Sequence, residues 1–149
     1  MKWNEIVADL YKVPFKYGGY DASGVDCIGL LYLYCEQMGK PLPTQFESWN
    51  KRKEPPVLEV WGLDNYATLC SDDPERRKEV FRELFMTIGH NIPIHEKLAG
   101  DVLLMEEVDH GYAAGIVIGN GHCVVAFEGH GVRAISLNNE FKPIMVRRL

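Results

Sequence analysis

Gly24-Val25-Asp26-Cys27-Ile28-Gly29-Leu30-Leu31 is the stretch whose reading decides the fold. Asp26 belongs to the residue types that cap helix N-termini, and Leu30, Leu31, Tyr34 and Met38 repeat at helical spacing. The pattern predicts a helix from about Asp26 to Met38, with Gly39 as its stop and Pro41 and Pro43 preventing continuation. Cys27 then falls in the first turn. Unpaired backbone N–H groups and the positive end of the helix dipole favour a thiolate there. Gly29 keeps space open beside the sulfur, so the layout is one that a cysteine nucleophile requires. It is equally the layout of a small buried cysteine on an amphipathic helix, and these residues alone leave both readings open.

Upstream, Trp3, Ile6, Val7 and Leu10 predict a short amphipathic helix over residues 2–12, ended by Pro14. Tyr17 to Gly24 reads as a loop. Downstream, residues 40–72 hold Pro55-Pro56 and the aromatics Phe46, Trp49, Trp61 and Tyr66. With the segment that follows, they predict an irregular and helical insertion over about 45–95, within one domain spanning 1–149. The aromatics at 45–70 are either core packing or a contact surface. A helix opens with Asp73 as N-cap and Pro74 at its first position, carries Val80, Phe81, Leu84 and Phe85 on one side, and stops at Gly89. The last third reads as a meander of five strands: Asp101–Met105, Tyr112–Ile118, His122–Phe127, Val132–Leu137 and Pro143–Arg147. Gly119-Asn120-Gly121 and Gly129-His130-Gly131 are its tight turns. Helices followed by an antiparallel sheet define an α+β fold.

Composition narrows the function classes. The chain has 149 residues, 46% hydrophobic and 25% charged, which suits one globular domain with a core of its own. A net charge of -5 excludes a nucleic-acid footprint, and the short runs Lys51-Arg52-Lys53 and Arg76-Arg77-Lys78 read as solvated faces. Met1-Lys2-Trp3-Asn4-Glu5 lacks a signal-peptide pattern, and no apolar run has the length of a membrane span. The expectation is a chain made in the cytoplasm. Cys27, Cys35, Cys70 and Cys123 form no CxxC pair and no zinc spacing, so neither a metal nor another cofactor is expected. A cytosolic origin argues against disulfides.

Three groups of residues together resemble the NlpC-type family of papain-like cysteine peptidases, the cell-wall hydrolases that cut peptidoglycan stem peptides. The first is Phe15-Lys16-Tyr17-Gly18-Gly19. The second is the Cys27 stretch, and the third is Gly39-Lys40-Pro41-Leu42-Pro43. The second half matches too. Ala99-Gly100-Asp101-Val102-Leu103-Leu104 looks like the family's Gly-Asp strand. Gly115-Ile116-Val117-Ile118-Gly119-Asn120-Gly121 looks like its histidine-bearing strand and turn, and Gly131-Val132 like the pair after its third site residue. The resemblance covers most of the chain outside about residues 45–95. It implies a papain-like α+β fold with N-terminal helices on an antiparallel sheet of about five strands.

Carried over residue by residue, the resemblance makes Cys27 the remnant of the nucleophile. Ile28 stands where the family has serine, and Phe15 stands where it has a tyrosine that helps polarise the substrate carbonyl. Ala113 falls at the histidine and Val125 at the polar residue that orients it. Neither side chain can take a proton or hold a ring in place. A thiol with a pKa of about 8.5 is only a few per cent ionised at neutral pH without such a base, and adjacent Asp26 opposes its ionisation. The leaving amine also lacks an acid. His110, in Glu107-Val108-Asp109-His110-Gly111, is the alternative base, although its parity differs from that of residue 113.

Two function classes follow. One is an inactive NlpC-like protein acting as a structural part of a phage or phage-like tail tip, with other tail subunits as partners. Gly100-Asp101-Val102-Leu103-Leu104-Met105 and the short Gly-Val end resemble the tail-associated branch, whose members reach the wall on the virion. The other is an active endopeptidase or amidase on peptidoglycan stem peptides, using Cys27 with His110. A weaker third option is a cytosolic protein that binds a wall fragment in the residual cleft.

Overall fold

The computed structural model describes residues 2–16, 19–40, 74–107, 111–119 and 121–149. Helix α1 spans Trp3–Leu10 and buries Ile6, Val7 and Leu10. It ends at a Tyr11 C-cap, three residues before the expected Pro14. A two-stranded hairpin follows, β1 (Tyr20–Asp21) against β2 (Gly24–Val25). Asp21 closes its turn by accepting the Ser23 N–H and hydroxyl. Glycine is needed here for space. A Cβ on Gly19 would stand 2.2 Å from the Gly24 carbonyl oxygen, and one on Gly24 would stand 2.5 Å from Lys16 Cβ.

Helix α2 spans Cys27–Gln37. Gly39 takes φ +72, its N–H donates to Glu36 O and the Lys40 N–H donates to Cys35 O. This is the Schellman arrangement that the Gly39 stop implies. Helix α3 spans Pro74–Met86 and buries Phe81 and Phe85. Its expected N-cap Asp73 and the side chains of Val80 and Leu84 lie outside the described residues. Residues 41–73 do as well, with Cys70 and the aromatics Phe46, Trp49, Trp61 and Tyr66.

Among the described residues the main sheet has six strands where five were expected. They are β3 (His90–Ile92), β4 (Val102–Glu107), β5 (Gly111–Gly119), β6 (His122–Phe127), β7 (Gly131–Ser136) and β8 (Phe141–Arg148), in the order β3-β8-β4-β5-β6-β7. The additional strand is β3, three residues pinned between Gly89 and Pro93 and too short to show alternation. A Cβ on Gly89 would lie 2.0 Å from Arg148 O, so only glycine lets the chain leaving α3 reach β8. Pro143 sits inside β8 because the ladder to β4 is bulged there: Leu104 pairs Met145 and Met105 pairs Pro143. β3 pairs only Val146, Arg147 and Arg148, so Pro143 removes no bond on that side.

Alternate residues of β4, β5 and β6 serve two apolar clusters. Val102, Leu104, Ala114, Ile116, Val124 and Ala126 pack with Ile6, Leu10, Leu30, Tyr34 and Phe85 of the helices. Leu103, Met105, Val117, Cys123 and Val125 form the second cluster with Ile92 and Val146. Fully burying one such aliphatic side chain contributes about 1.5–3 kcal/mol, so both clusters hold the sheet.

Polar ties join the layers. Tyr34 accepts from Trp3 Nε1 at 2.9 Å and donates to Gly100 O at 2.9 Å, linking α1, α2 and the entry to β4. Buried Asp101 accepts the Leu98 N–H at 2.8 Å and both Arg148 Nε and Nη2, at 2.8 and 2.9 Å. Arg147 donates to the carbonyls of Met86, Ile88 and Gly89 and so satisfies acceptors at and just past the end of α3. Among the described residues no helix is long and apolar enough to cross a membrane.

Candidate functional site

Asp26 and Cys27 open α2 together. Asp26 has extended backbone angles, and its Oδ1 accepts the Gly29 N–H at 2.8 Å. The carboxylate therefore occupies one of the donors that would otherwise be free to stabilise a thiolate at this helix end. Cys27 is half-buried, whereas Cys35 and Cys123 are fully buried. Burial pushes both of those thiols up to about 12, which makes them inert core residues at neutral pH. Of the described cysteines, only Cys27 is open to a reagent.

Phe15 is delivered to the same end of the molecule by backbone pairing. It forms a parallel bridge with Val25, framed by bonds from Lys16 N to Val25 O and from Val25 N to Pro14 O, both at 3.0 Å. Val25 stands two residues before Cys27. Phe15 and Cys27 pack on the helix-side cluster, and Ile28 is buried in it. A serine at Ile28 would bring a hydroxyl into that apolar layer.

Ala113 and Val125 pack elsewhere. Ala113 pairs with Met105 across β4–β5 and lies against the second cluster. Val125 pairs with Arg133 on β7 and is 2% exposed within that cluster. Their neighbours there are Leu103, Met105, Val117 and Cys123. A proton acceptor would need a hydrogen-bonding partner in such surroundings. The structure thus gathers the carried-over positions as two sets, Phe15, Cys27 and Ile28 in one cluster and Ala113 and Val125 in the other.

His110 lies outside the described residues. The remaining histidines are all exposed: His90 on β3, His95 after it, His122 at the start of β6 and His130 in the β6–β7 turn. Among the described residues no group of three His, Cys, Asp or Glu side chains is arranged to hold a metal ion.

One polar cluster near the site escaped the sequence reading. Tyr112, the residue before Ala113, accepts from Arg82 Nε at 3.2 Å and Nη2 at 2.9 Å. Lys78 and Arg82 stand 5.4 and 5.7 Å from its ring, and Lys78 pairs with Glu106 at 3.2 Å. The basic run at the start of α3 was read as solvated surface. That reading missed Tyr112, because only tertiary packing places α3 beside β5.

Comparison with known proteins follows this geometry. The NlpC/P60 family matches residues 12–147 of the chain. Among solved structures, the NlpC/p60 domain of the peptidoglycan hydrolase SagA superposes with a TM-score of 0.54 at 22% identity, covering 100% of both chains. The peptidoglycan hydrolase RipB of Mycobacterium tuberculosis gives 0.54 at 18% identity over 98% of this chain and 62% of that one. RipD of the same organism is described as a non-catalytic NlpC/p60 domain protein adapted to peptidoglycan binding. It gives 0.53 at 14% identity over 100% and 98%. At these identities the likeness establishes a shared fold. No curated protein gave a significant sequence match.

Proposed function

This chain is a member of the NlpC/P60 family, and we propose that within it the chain is a catalytically inactive, peptidase-fold structural component, acting in the tail tip of a phage or phage-like particle. The observation that carries the inactive part is the chemistry of two positions. Ala113 and Val125 fall where the family keeps its base and the residue that orients it, and both pack in an apolar cluster. Without them Cys27 has neither a proton acceptor nor a donor for the leaving amine. The non-catalytic description of RipD supports the plausibility of a family fold kept without its chemistry. The tail assignment rests on the tail-branch resemblance of Gly100 to Met105 and of Gly131-Val132. In this reading the chain is made in the cytoplasm, reaches the wall on the virion, and has tail subunits as partners, with peptidoglycan stem peptide as a residual ligand.

The competing reading is a working endopeptidase or amidase with Cys27 as nucleophile and His110 as base. The half-open position of Cys27 at a helix N-terminus favours it. Turnover of a peptidoglycan stem peptide by wild type and Cys27→Ala, with alkylation of Cys27 followed across pH, separates the two. The inactive reading expects both proteins at the uncatalysed rate, orders of magnitude below a working cysteine peptidase. Turnover that disappears in Cys27→Ala, with a thiolate titrating well below neutral, overturns it.

A further inference from the structure

A groove of about 790 Å³ lies between the segment Tyr11–Phe15 and the β6–β7 turn with β7, lined there by residues from Gly129 to Ala134. Its size is that of a ligand site. Cys27 does not line it. One wall is a sheet edge: among the described residues β7 pairs with β6 alone and ends the strand order, so half of its backbone donors and acceptors face away from that ladder. The walls come together at Gly131, where a Cβ would stand 3.2 Å from Val13 O.

The groove's charge is one-sided. Its ionisable cationic residues are Lys12, Arg133 and, when protonated, His130, and among the described residues no carboxylate lines it, in a chain whose net charge is -5. Lys12 is paired with Asp9 at 3.3 Å on the exposed surface, a contact that contributes little. Arg133 is exposed. Its Nε donates to His130 O at 2.9 Å, which fixes the start of the guanidinium, while among the described residues no bond from its terminal nitrogens is seen.

We propose that this groove accepts an extended acidic segment of another protein, which adds as a strand to the edge of β7 and sets a carboxylate against Arg133. Main-chain bonds to β7 supply the affinity, and the cations select the sequence and its direction. The inference holds whether or not Cys27 hydrolyses anything, because Cys27 does not line the groove, although Phe15 does.

The test measures fluorescence polarisation of a labelled peptide alternating glutamate and valine, about eight residues long. Its controls are a lysine–valine counterpart, the same acidic peptide N-methylated at alternate residues, and an unlabelled peptidoglycan stem peptide as competitor. The expected result is saturable binding of the acidic peptide alone. Binding should weaken with salt, fall on the order of fivefold in Arg133→Glu, and persist in Arg133→Lys. Arg133 is exposed, and thermal melts confirm that both variants fold. The proposal is overturned if nothing saturates, if the lysine or N-methylated peptide binds equally, if Arg133→Glu changes nothing, or if the stem peptide displaces the probe competitively. Since binding is read and not turnover, failure here leaves the question of Cys27 activity separate.

Discussion

The start of α2 and the entry to β4 contrast with the paired strands β5 and β6. In the first region the family-like polar residues remain, and each does structural work. Asp26 caps α2 through the Gly29 N–H, and Asp101 holds both Leu98 N and the Arg148 guanidinium. In the second region Ala113 and Val125, the positions that the family resemblance assigns to a base and its orienter, pack in an apolar cluster. The contrast teaches that a family motif mixes residues the fold requires with residues only the chemistry requires. In the proposed reading, this chain keeps the former and has lost the latter.

The sharpest way to break that contrast is to remove a retained polar residue. Asp101→Ala leaves Arg148 and the Leu98 N–H without their shared acceptor and should cost about 3 kcal/mol, read as a drop in the urea midpoint. A loss under about 0.5 kcal/mol would show that Asp101 is not kept for the fold. Next comes a replaced position. Val125→Ala opens space in the second cluster and should cost about 2 kcal/mol, whereas Cys27→Ala, at a half-buried site, should cost less than about 1 kcal/mol. Equal losses would remove the distinction between a core position and a remnant one.

The smallest effect concerns the cysteines. Iodoacetamide on the native protein should label Cys27 and leave Cys35 and Cys123 for the unfolded chain, checked by peptide mapping. The buried thiols, pushed up from 9.0 to about 12, stay protonated in the fold while an unfolded thiol ionises. In that window the native state binds more protons, so stability falls as pH rises from about 9 towards about 12 and is fully present below about 9. Cys35→Ala should flatten this alkaline slope in urea titrations repeated across pH. An unchanged slope would place its cause elsewhere.

Much of the fold was legible because its signals are local. The Gly39 stop, the apolar run Cys123 to Phe127 and the β6–β7 turn follow from backbone preferences and short-range composition. β3 was missed because three residues carry no period, and they become a strand only when Arg148 and its neighbours pair with them. Of the candidate site, the side-chain chemistry is readable: a thiol at Cys27 and apolar side chains at Phe15, Ala113 and Val125.

By itself, then, the sequence determined the α+β class, the NlpC/P60 family and the apolar character of Phe15, Ile28, Ala113 and Val125, since all of these are properties of residues and short-range spacing. Tertiary structure alone decided which residues meet. It set Cys27 and Phe15 in one cluster and Ala113 and Val125 in the other. It brought Arg82 to Tyr112, and it laid Tyr11–Phe15 beside the β6–β7 turn and β7 to form a groove. Those contacts join segments far apart in the chain, and their geometry depends on how helices and sheet pack, which no local pattern records.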